Sequence, residues 1–280
     1  MPESQTVIGS LEVGADMSLF RKSWPLHAPK ANVLIVHGYA EYCERYDHVA
    51  ERLNEHGYAV YSYDQRGHGN SPGTLGQIPS FDALTDDLAK VLNTLQDEVD
   101  EHLPFFIWGH SMGGLVTSAC TIRHQPDITG LVLTSPGVKA DETVSPVLKA
   151  LSGIIAAVLP KVPVHALDPT GISRDEVEVK KYIEDPLVYH GKILAQTGNQ
   201  LVKTIDFVEA NYGKITVPTL IMHGTEDRLV NVIASEALHA GMSSSDKTLK
   251  IYDGGYHELF NDIIREEFFT DLFAWLDAHC

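Results

Sequence analysis

The sequence has 280 residues and a formal net charge of −17, and 44% of its residues are hydrophobic. This length suits one large domain or a domain with an insertion, and the hydrophobic share is enough for a sizeable core. A chain this acidic is repelled by phosphate backbones, so we expect no nucleic-acid partner.

Short apolar runs alternate with longer amphipathic segments along most of the chain. An amino-terminal segment, MSLFRKSW, is expected to add an antiparallel edge to a sheet. Buried strands are predicted at residues 32–36, 58–63, 104–108, 128–134, 218–222 and 248–252. Helices are predicted at residues 47–56, 80–99, 112–124, 232–240 and 261–278. Because strands separated by helices pair in parallel, the pattern predicts an α/β fold whose mostly parallel central sheet is flanked by helices.

The alternation is lost between residues 137 and 208, which are too many for one ordinary crossover. We interpret residues 137–208 as a helical cap inserted between two parts of the core, residues 1–136 and 209–280. Two or three ordinary crossover helices are the alternative. An apolar stripe in this segment would line a substrate pocket or dock on lipid, although such stripes more often face a core. The stripe residues assigned to the pocket are Leu151, Ile155 and Val158.

A glycine-flanked serine, Ser111, occupies the centre of GHSMG. The pentapeptide alone is weak evidence, because serine and glycine are common in turns. Here it lies between a predicted strand and a predicted helix, where a sharp turn would project the serine oxygen above the sheet. We therefore predict that Ser111 is a nucleophile. The neighbouring His110 is expected to pack against the turn or form a wall of the pocket.

A nucleophilic serine needs a base and an acid that orients the base, in the chain order serine, acid, histidine. Asp227 follows a predicted strand in HGTEDRLV, and His257 follows the next strand in GYHELF. Both therefore fall at the carboxyl edge of the sheet, where α/β ligand sites gather. Glu226 is the neighbouring competitor of Asp227, and the alternative role of Asp227 is to cap a helix or form a turn.

A histidine-glycine pair begins the loop HGYAEYCERY after the first buried strand. We expect the backbone N–H groups of Tyr39 and Met112 to be the two donors to an oxyanion. A plain turn that uses Gly38 is the alternative. The later loop DQRGHGNS is predicted to form a tight turn beside the site, and we expect its His68 to have a structural rather than a catalytic role.

The three cysteines, Cys43, Cys120 and Cys280, match neither a disulfide framework nor a zinc site. Free thiols are typical of a reducing compartment. Residues 1–17 do not resemble a signal peptide, and the longest apolar run is far shorter than the roughly 20 residues of a spanning helix. We expect a cytoplasmic protein, with peripheral attachment to membranes as an open alternative.

Together these segments resemble the monoacylglycerol lipases of the α/β-hydrolase superfamily, in the group of serine aminopeptidase-like and lysophospholipase-like hydrolases. The resemblance extends along nearly the whole chain and rests on HGYAEYCERY, YDQRGHGNS, GHSMGG, DPLVYHGKI, HGTEDRLV and KTLKIYDGGYHELF. It implies a catalytic triad of Ser111, Asp227 and His257. It also suggests a pocket position for Tyr189 and a shape-fixing role for Glu41 and Arg45. The chain departs from the family at Ala40, where glycine is common.

The resemblance further implies that the protein cleaves the ester bond of monoacylglycerols, small lipid esters, without a cofactor or metal. It implies a cap whose apolar face meets membranes or micelles transiently, and implies nothing about oligomeric state. A lysophospholipase, a general carboxylesterase or a thioesterase on the same scaffold is the alternative within this class. A non-catalytic scaffold protein is the alternative from another class, although such a protein would be expected to have lost part of the triad.

Overall fold

The computed structural model describes residues 6–14, 16–139, 153 and 155–280. The strands are listed in chain order: β1 (Val7–Gly14), β2 (Met17–Trp24), β3 (Ala31–Val36), β4 (Tyr58–Tyr63), β5 (Phe105–His110), β6 (Gly130–Thr134), β7 (Pro163–His165), β8 (Ile193–Leu194), β9 (Thr219–Gly224) and β10 (Lys247–Tyr252). The α-helices are α1 (Asp47–Glu55), α2 (Phe81–Glu98), α3 (Met112–His124), α4 (Glu176–Glu184), α5 (Ala195–Glu209), α6 (Ile233–Gly241) and α7 (Arg265–Ala278). Residues 155–158 are also helical.

Within these residues, eight strands form one sheet in the spatial order β1-β2-β4-β3-β5-β6-β9-β10. All neighbours from β4 to β10 pair in parallel, whereas β2 is antiparallel to both β1 and β4. The protein therefore has the expected α/β-hydrolase fold with a mostly parallel sheet. The predicted antiparallel edge strand is β2, and β1 pairs with it to form a hairpin. The sequence did not predict β1, because most of its residues are exposed and give no apolar run.

The predicted core elements agree with the structure to within a few residues. The largest difference concerns the last helix, which begins at Arg265 rather than at residue 261. A short 3-10 turn, Leu259–Asn261, precedes it. The chain is irregular after this turn because the Asp262 carboxylate accepts hydrogen bonds from Tyr256 N–H and from the backbone and guanidinium of Arg174.

Two hydrophobic clusters cover the two faces of the sheet. One packs α2, α3 and α6 against the sheet, and the other packs α1 and α7 against the opposite face. Strands β3, β5, β6 and β9 are buried along their whole length, which explains their continuous apolar sequences. None of the helices in the described ranges is long and apolar enough to cross a bilayer.

The segment that we predicted to be a cap, residues 137–208, begins just after β6. Its described part contains the two-stranded antiparallel pair β7-β8, helix α4 and most of helix α5. Contacts tie it to the core: Tyr42 Oη donates to Asp185 Oδ2 (2.7 Å) and Tyr189 N–H donates to Ala40 O (2.8 Å). These bonds hold the segment above the carboxyl end of β3.

The turn between β5 and α3 depends on two glycines for close packing. A Cβ atom on Gly113 would lie 2.0 Å from the carbonyl oxygen of Val36, and one on Gly109 would lie 2.6 Å from Thr117 Oγ1. Helix α3 can therefore approach the end of β3 only because these positions lack side chains. This close approach explains why glycines flank Ser111 on both sides.

We expect Gly113→Ala to destabilise the fold by about 3 kcal/mol or more, because the clash is with backbone that cannot move aside. The measurement is chemical denaturation monitored by circular dichroism. Gly198→Ala is the matched control: its Cβ would meet only ordinary contacts, at 3.7 Å from Val164 Cγ2. Alanine in helix α5 should be neutral or stabilise by up to about 1 kcal/mol. Equal stability of the two variants would contradict the close-packing explanation.

Candidate active site

The candidate site lies where the strand order reverses. The chain passes from β3 to β4 on one side and, after β5, continues to β6 on the other. In open α/β sheets this arrangement leaves a crevice at the carboxyl ends of the two central strands. The loop that contains Tyr39 follows β3, and Ser111 follows β5. Asp227 and His257 follow β9 and β10, at the same edge of the sheet.

A cavity of about 1030 Å³ opens at this edge. Its lining includes all five residues predicted to perform chemistry: Ser111, Asp227, His257, Tyr39 and Met112. The sequence placed these residues at one edge of the sheet because of the strands and motifs that they follow, and the structure brings them together in one cavity.

Ser111 has φ 53° and ψ −117°, a conformation that residues other than glycine rarely adopt. Neighbouring backbone holds it: Ser111 N–H donates to Thr134 O (3.0 Å), and Ser111 O accepts from Gly137 N–H (3.1 Å) and Leu115 N–H (3.2 Å). Strained residues that are fixed in this way cluster at functional sites. The turn has the strand-to-helix geometry expected of a nucleophile elbow.

His257 and Asp227 form a buried pair in which His257 Nδ1 lies 2.7 Å from Asp227 Oδ2. Burial by itself lowers the pKa of His257, but the charge and hydrogen bond of Asp227 outweigh burial and raise the pKa above its usual value. Burial likewise raises the pKa of Asp227, yet His257 and His223 hold it well below its usual range. The carboxylate is therefore ionised and oriented toward the imidazole, as a base and its orienting acid require.

The competition between Asp227 and Glu226 is decided by burial. The Asp227 side chain is completely buried and bonds to His257, whereas Glu226 is exposed. Asp227 Oδ1 also accepts the N–H groups of Leu229 (2.8 Å) and Val230 (2.9 Å). These bonds close the turn after β9 and fix the carboxylate. The turn-forming role that was the alternative for Asp227 thus coexists with its contact to His257.

The loop after β3 presents Tyr39 to the cavity. Gly38 N–H donates to Glu41 Oε1 (2.6 Å), and the Tyr39 hydroxyl donates to Gly76 O (2.7 Å). Ala40 has φ 71°, in the left-handed region that favours glycine, so the loop holds a strained alanine beside Tyr39. Met112 is the first residue of α3, so its N–H has no acceptor within the helix.

A buried ion-pair network joins this loop to the loop that contains His257. Arg45 Nη1 lies 2.6 Å from Glu41 Oε2, and the Arg45 guanidinium binds both carboxylate oxygens of Glu258 at 2.8 Å. Burial raises the pKa of Glu258, but Arg45 outweighs it and lowers the pKa to about 2. Arg45 also lies over the Tyr182 ring of α4, 4.7 Å from its centroid. One guanidinium therefore contacts three parts of the cavity wall.

His110 lies in the cavity wall, as one of its two expected roles required. Its Nδ1 is 3.0 Å from Thr134 Oγ1, and its ring centroid is 4.7 Å from that of His257. Burial and the nearby His257 lower the pKa of His110 to about 3. His68 is also buried, and burial together with His37 lowers its pKa to about 3. Both imidazoles therefore stay uncharged at neutral pH.

Of the residues assigned to the pocket, Tyr189 lines the cavity as expected. The residues of the apolar stripe are placed differently from the expectation. Ile155 and Val158 are 41% and 71% exposed and lie outside the cavity lining, so the structure corrects their assignment. A helical stripe has the same spacing whichever way it faces, and therefore spacing alone could not decide its direction. Leu151 lies outside the described residues.

Two residues at the site, Glu258 and His223, were not predicted from the sequence. Glu258 binds Arg45 and His223 contacts Asp227. Both contacts depend on the folded structure, so the sequence did not reveal them. Arg45 and Glu258 are 213 positions apart in the chain. The one sequence signal for Glu258 is its position beside His257.

Comparison with known proteins identifies the family. Residues 27–264 match the family described as Serine aminopeptidase, S33. The chain belongs to this family. The match covers every residue of the site described above, from the Tyr39 loop to Glu258.

The chain is also similar to three lipases along most of its length. The monoacylglycerol lipase of Mycolicibacterium smegmatis is 35% identical over 251 residues, which are 90% of this chain and 89% of that protein. The monoglyceride lipase of Rattus norvegicus is 34% identical over 247 residues, 88% of this chain and 81% of that protein. The crystal structure of Paleococcus ferrophilus monoacylglycerol lipase has a TM-score of 0.82 and 31% identity, covering 94% of this chain and 100% of that one.

We expect an NMR titration to give His257 a pKa above the value of about 6.5 of an unperturbed histidine. The reason is that the Asp227 charge stabilises the imidazolium. In Asp227→Asn the charge is lost while burial remains, so the pKa of His257 should fall below that reference. Asp253→Asn, on an exposed carboxylate after β10, is the matched control and should leave the titration unchanged. A His257 titration that is insensitive to Asp227→Asn would contradict the pairing.

Proposed function

We propose that this member of the Serine aminopeptidase, S33 family hydrolyses monoacylglycerols to a fatty acid and glycerol through an acyl-enzyme intermediate. The observation that carries the proposal is the 2.7 Å pairing of His257 with Asp227 in the same cavity as the strained Ser111. The similarity to monoacylglycerol lipases along about nine tenths of the chain supports the substrate class.

In the proposed mechanism the Ser111 hydroxyl attacks the ester carbonyl and gives its proton to His257. The imidazolium, stabilised by Asp227, passes this proton to the departing glycerol oxygen, and the acyl group stays on Ser111. Water then attacks the acyl-enzyme and gives a proton to His257. That proton returns to Ser111 when the fatty acid leaves.

The backbone N–H groups of Tyr39 and Met112 stabilise the negative oxygen of each tetrahedral intermediate. Each donor of this kind contributes about 2.7–4 kcal/mol to transition-state stabilisation when water is excluded. The ion pair between Arg45 and Glu258 and the bond from Gly38 N–H to Glu41 support this role, because they fix the Tyr39 loop relative to His257.

Part of the cavity lining is apolar, as the acyl chain of a monoacylglycerol requires. The apolar lining belongs to the cluster that includes Met112 and Leu115, next to Ser111. Its further residues come from α5, α6 and the loop before α6: Leu201, Val202, Ile205, Val230, Ile233 and Ala234. Polar side chains, among them Tyr182, Tyr189 and His190, also line the cavity. The acyl chain occupies the apolar part, where burial favours it by about 0.8 kcal/mol per CH₂.

In the same proposal, residues 137–208 form a cap that covers the cavity and contacts lipid surfaces transiently. Two observations support it: described residues of the segment line the cavity, and Val158, Leu159 and Val164 are more than half exposed, at 71%, 57% and 52%. The free cysteines, of which Cys43 and Cys120 are buried, favour a cytoplasmic location.

We expect Ser111→Ala to abolish ester hydrolysis and covalent labelling by a fluorophosphonate while leaving thermal unfolding nearly unchanged. Ser118→Ala, which removes a buried hydroxyl from the helix that follows Ser111, is the matched control and should remain active. If the fluorophosphonate does not label wild-type protein, the result would instead favour a non-catalytic scaffold.

The substrate class is tested by turnover of monoacylglycerols, diacylglycerols, lysophospholipids, thioesters and short p-nitrophenyl esters. A preference for another of these classes would refute the monoacylglycerol assignment and leave the serine mechanism in place.

We expect Ile205→Trp to shift the preference toward shorter acyl chains, because a larger side chain fills part of the apolar cavity. The kcat/KM for long-chain monoacylglycerols should fall about tenfold or more, with little change for short-chain esters. Ile8→Trp is the control, since Ile8 is 60% exposed on β1, away from the cavity. An unchanged chain-length profile in Ile205→Trp would place the acyl chain elsewhere.

A further inference from the structure

A second histidine contacts the carboxylate of Asp227. His223, at the end of β9, is completely buried, and its Nε2 lies 3.0 Å from Asp227 Oδ2 and 3.0 Å from Val230 O. Its Nδ1 lies 2.6 Å from the hydroxyl oxygen of Ser235 on α6. His223 is absent from the cavity lining and is itself held by Ser235 of a helix that packs on the sheet.

The chemistry of these partners assigns the proton on His223. Both neighbours of Nε2, a carboxylate and a carbonyl oxygen, are acceptors, so Nε2 must carry a hydrogen and donate it. Nδ1 faces a hydroxyl, which can donate to an unprotonated ring nitrogen. The Ser235 hydroxyl consequently favours the tautomer that donates to Asp227.

With this donation, Asp227 accepts four hydrogen bonds. Oδ1 accepts two backbone N–H groups from Leu229 and Val230, while Oδ2 accepts the two imidazoles of His223 and His257. The backbone bonds hold only Oδ1. His223 is therefore the second contact on Oδ2, the oxygen that binds His257.

We propose that His223, oriented by Ser235, is a positioning residue that holds Asp227 Oδ2 against His257 and draws part of the carboxylate charge away from it. This inference rests on the proposed function, because it concerns the acid-base pair of that mechanism. His223 does not line the cavity and touches no reacting atom, so it acts through Asp227.

The effect on His257 has a definite sign. A carboxylate without the His223 donor directs more of its charge toward its remaining imidazole partner, which stabilises the imidazolium more strongly. Among the residues that the structure describes, the other titratable groups that face His257 are Glu258, Glu41 and His110, and the hydrogen-bond partners of His223 include none of them. Their influence stays constant when His223 is changed.

The test compares His223→Leu, His223→Gln and Ser235→Ala with wild type, using p-nitrophenyl butyrate across a pH series and fluorophosphonate labelling of Ser111. In His223→Leu we expect kcat to fall about ten- to hundredfold, as for loss of a hydrogen bond to a charged group, with a much smaller change in KM. The acid limb of the kcat/KM profile should move to higher pH. Gln, whose side-chain N–H₂ can donate to Asp227, should restore much of the rate and of the limb.

His239→Leu makes the same chemical change on α6 away from Asp227, and it should behave as wild type. An acid limb and kcat unchanged in His223→Leu would overturn the proposal. If His223→Leu does not fold, the test is the kcat/KM pH profile of Ser235→Ala. An acid limb shifted to higher pH in this variant supports the proposal, and an unshifted acid limb overturns it. If wild-type protein neither turns over the ester nor is labelled by the fluorophosphonate, the proposed function is refuted. This result differs from one in which wild type is active and the His223 variants behave like it, which overturns only the role of His223.

Discussion

The buried network of Glu41, Arg45 and Glu258 is the interaction on which the geometry of the site depends. Two carboxylates that are almost completely buried share one guanidinium, at distances of 2.6 and 2.8 Å. Removing one partner of such a network typically costs about 3–5 kcal/mol, because a charge is left buried and unpaired. Its two acidic ends adjoin the Tyr39 loop and His257, so the same ion pairs that satisfy buried charge also set the distance between these two loops.

The strained turn at Ser111 is stabilised by the packing and hydrogen bonds around it. Gly113 lets α3 approach β3, and the Ser111 backbone is hydrogen-bonded to Thr134, Leu115 and Gly137. These contacts fix the serine independently of its side chain. The site therefore combines a rigid turn from the sheet centre with two loops whose relative position comes from buried charge, and Asp227 links these loops to α6 through His223 and Ser235.

Much of the fold was predictable because its signals are local. Strands buried on both faces, such as β3 and β5, have continuous apolar sequences, and helices between them require parallel pairing. The same reasoning put Ser111, Asp227 and His257 at one edge of the sheet, since each follows a strand. The exposed strand β1 was missed because its pattern is weak. Ile155 and Val158 were assigned to the pocket but lie outside its lining, because helical spacing does not specify which neighbour a face meets.

The sequence by itself determined the order of strands and helices, the turn chemistry at Ser111 and the edge at which the three candidate residues meet, because these depend on near neighbours in the chain. Only the tertiary structure decided which carboxylate faces His257, how Arg45 pairs with Glu258 and why His223 contacts Asp227. The Arg45 pairing joins residues far apart in sequence, the choice of Asp227 selects between adjacent side chains, and the His223 contact depends on burial and on Ser235. Their energies depend on burial and on the number of donors around each charge, which exist only after the chain has folded.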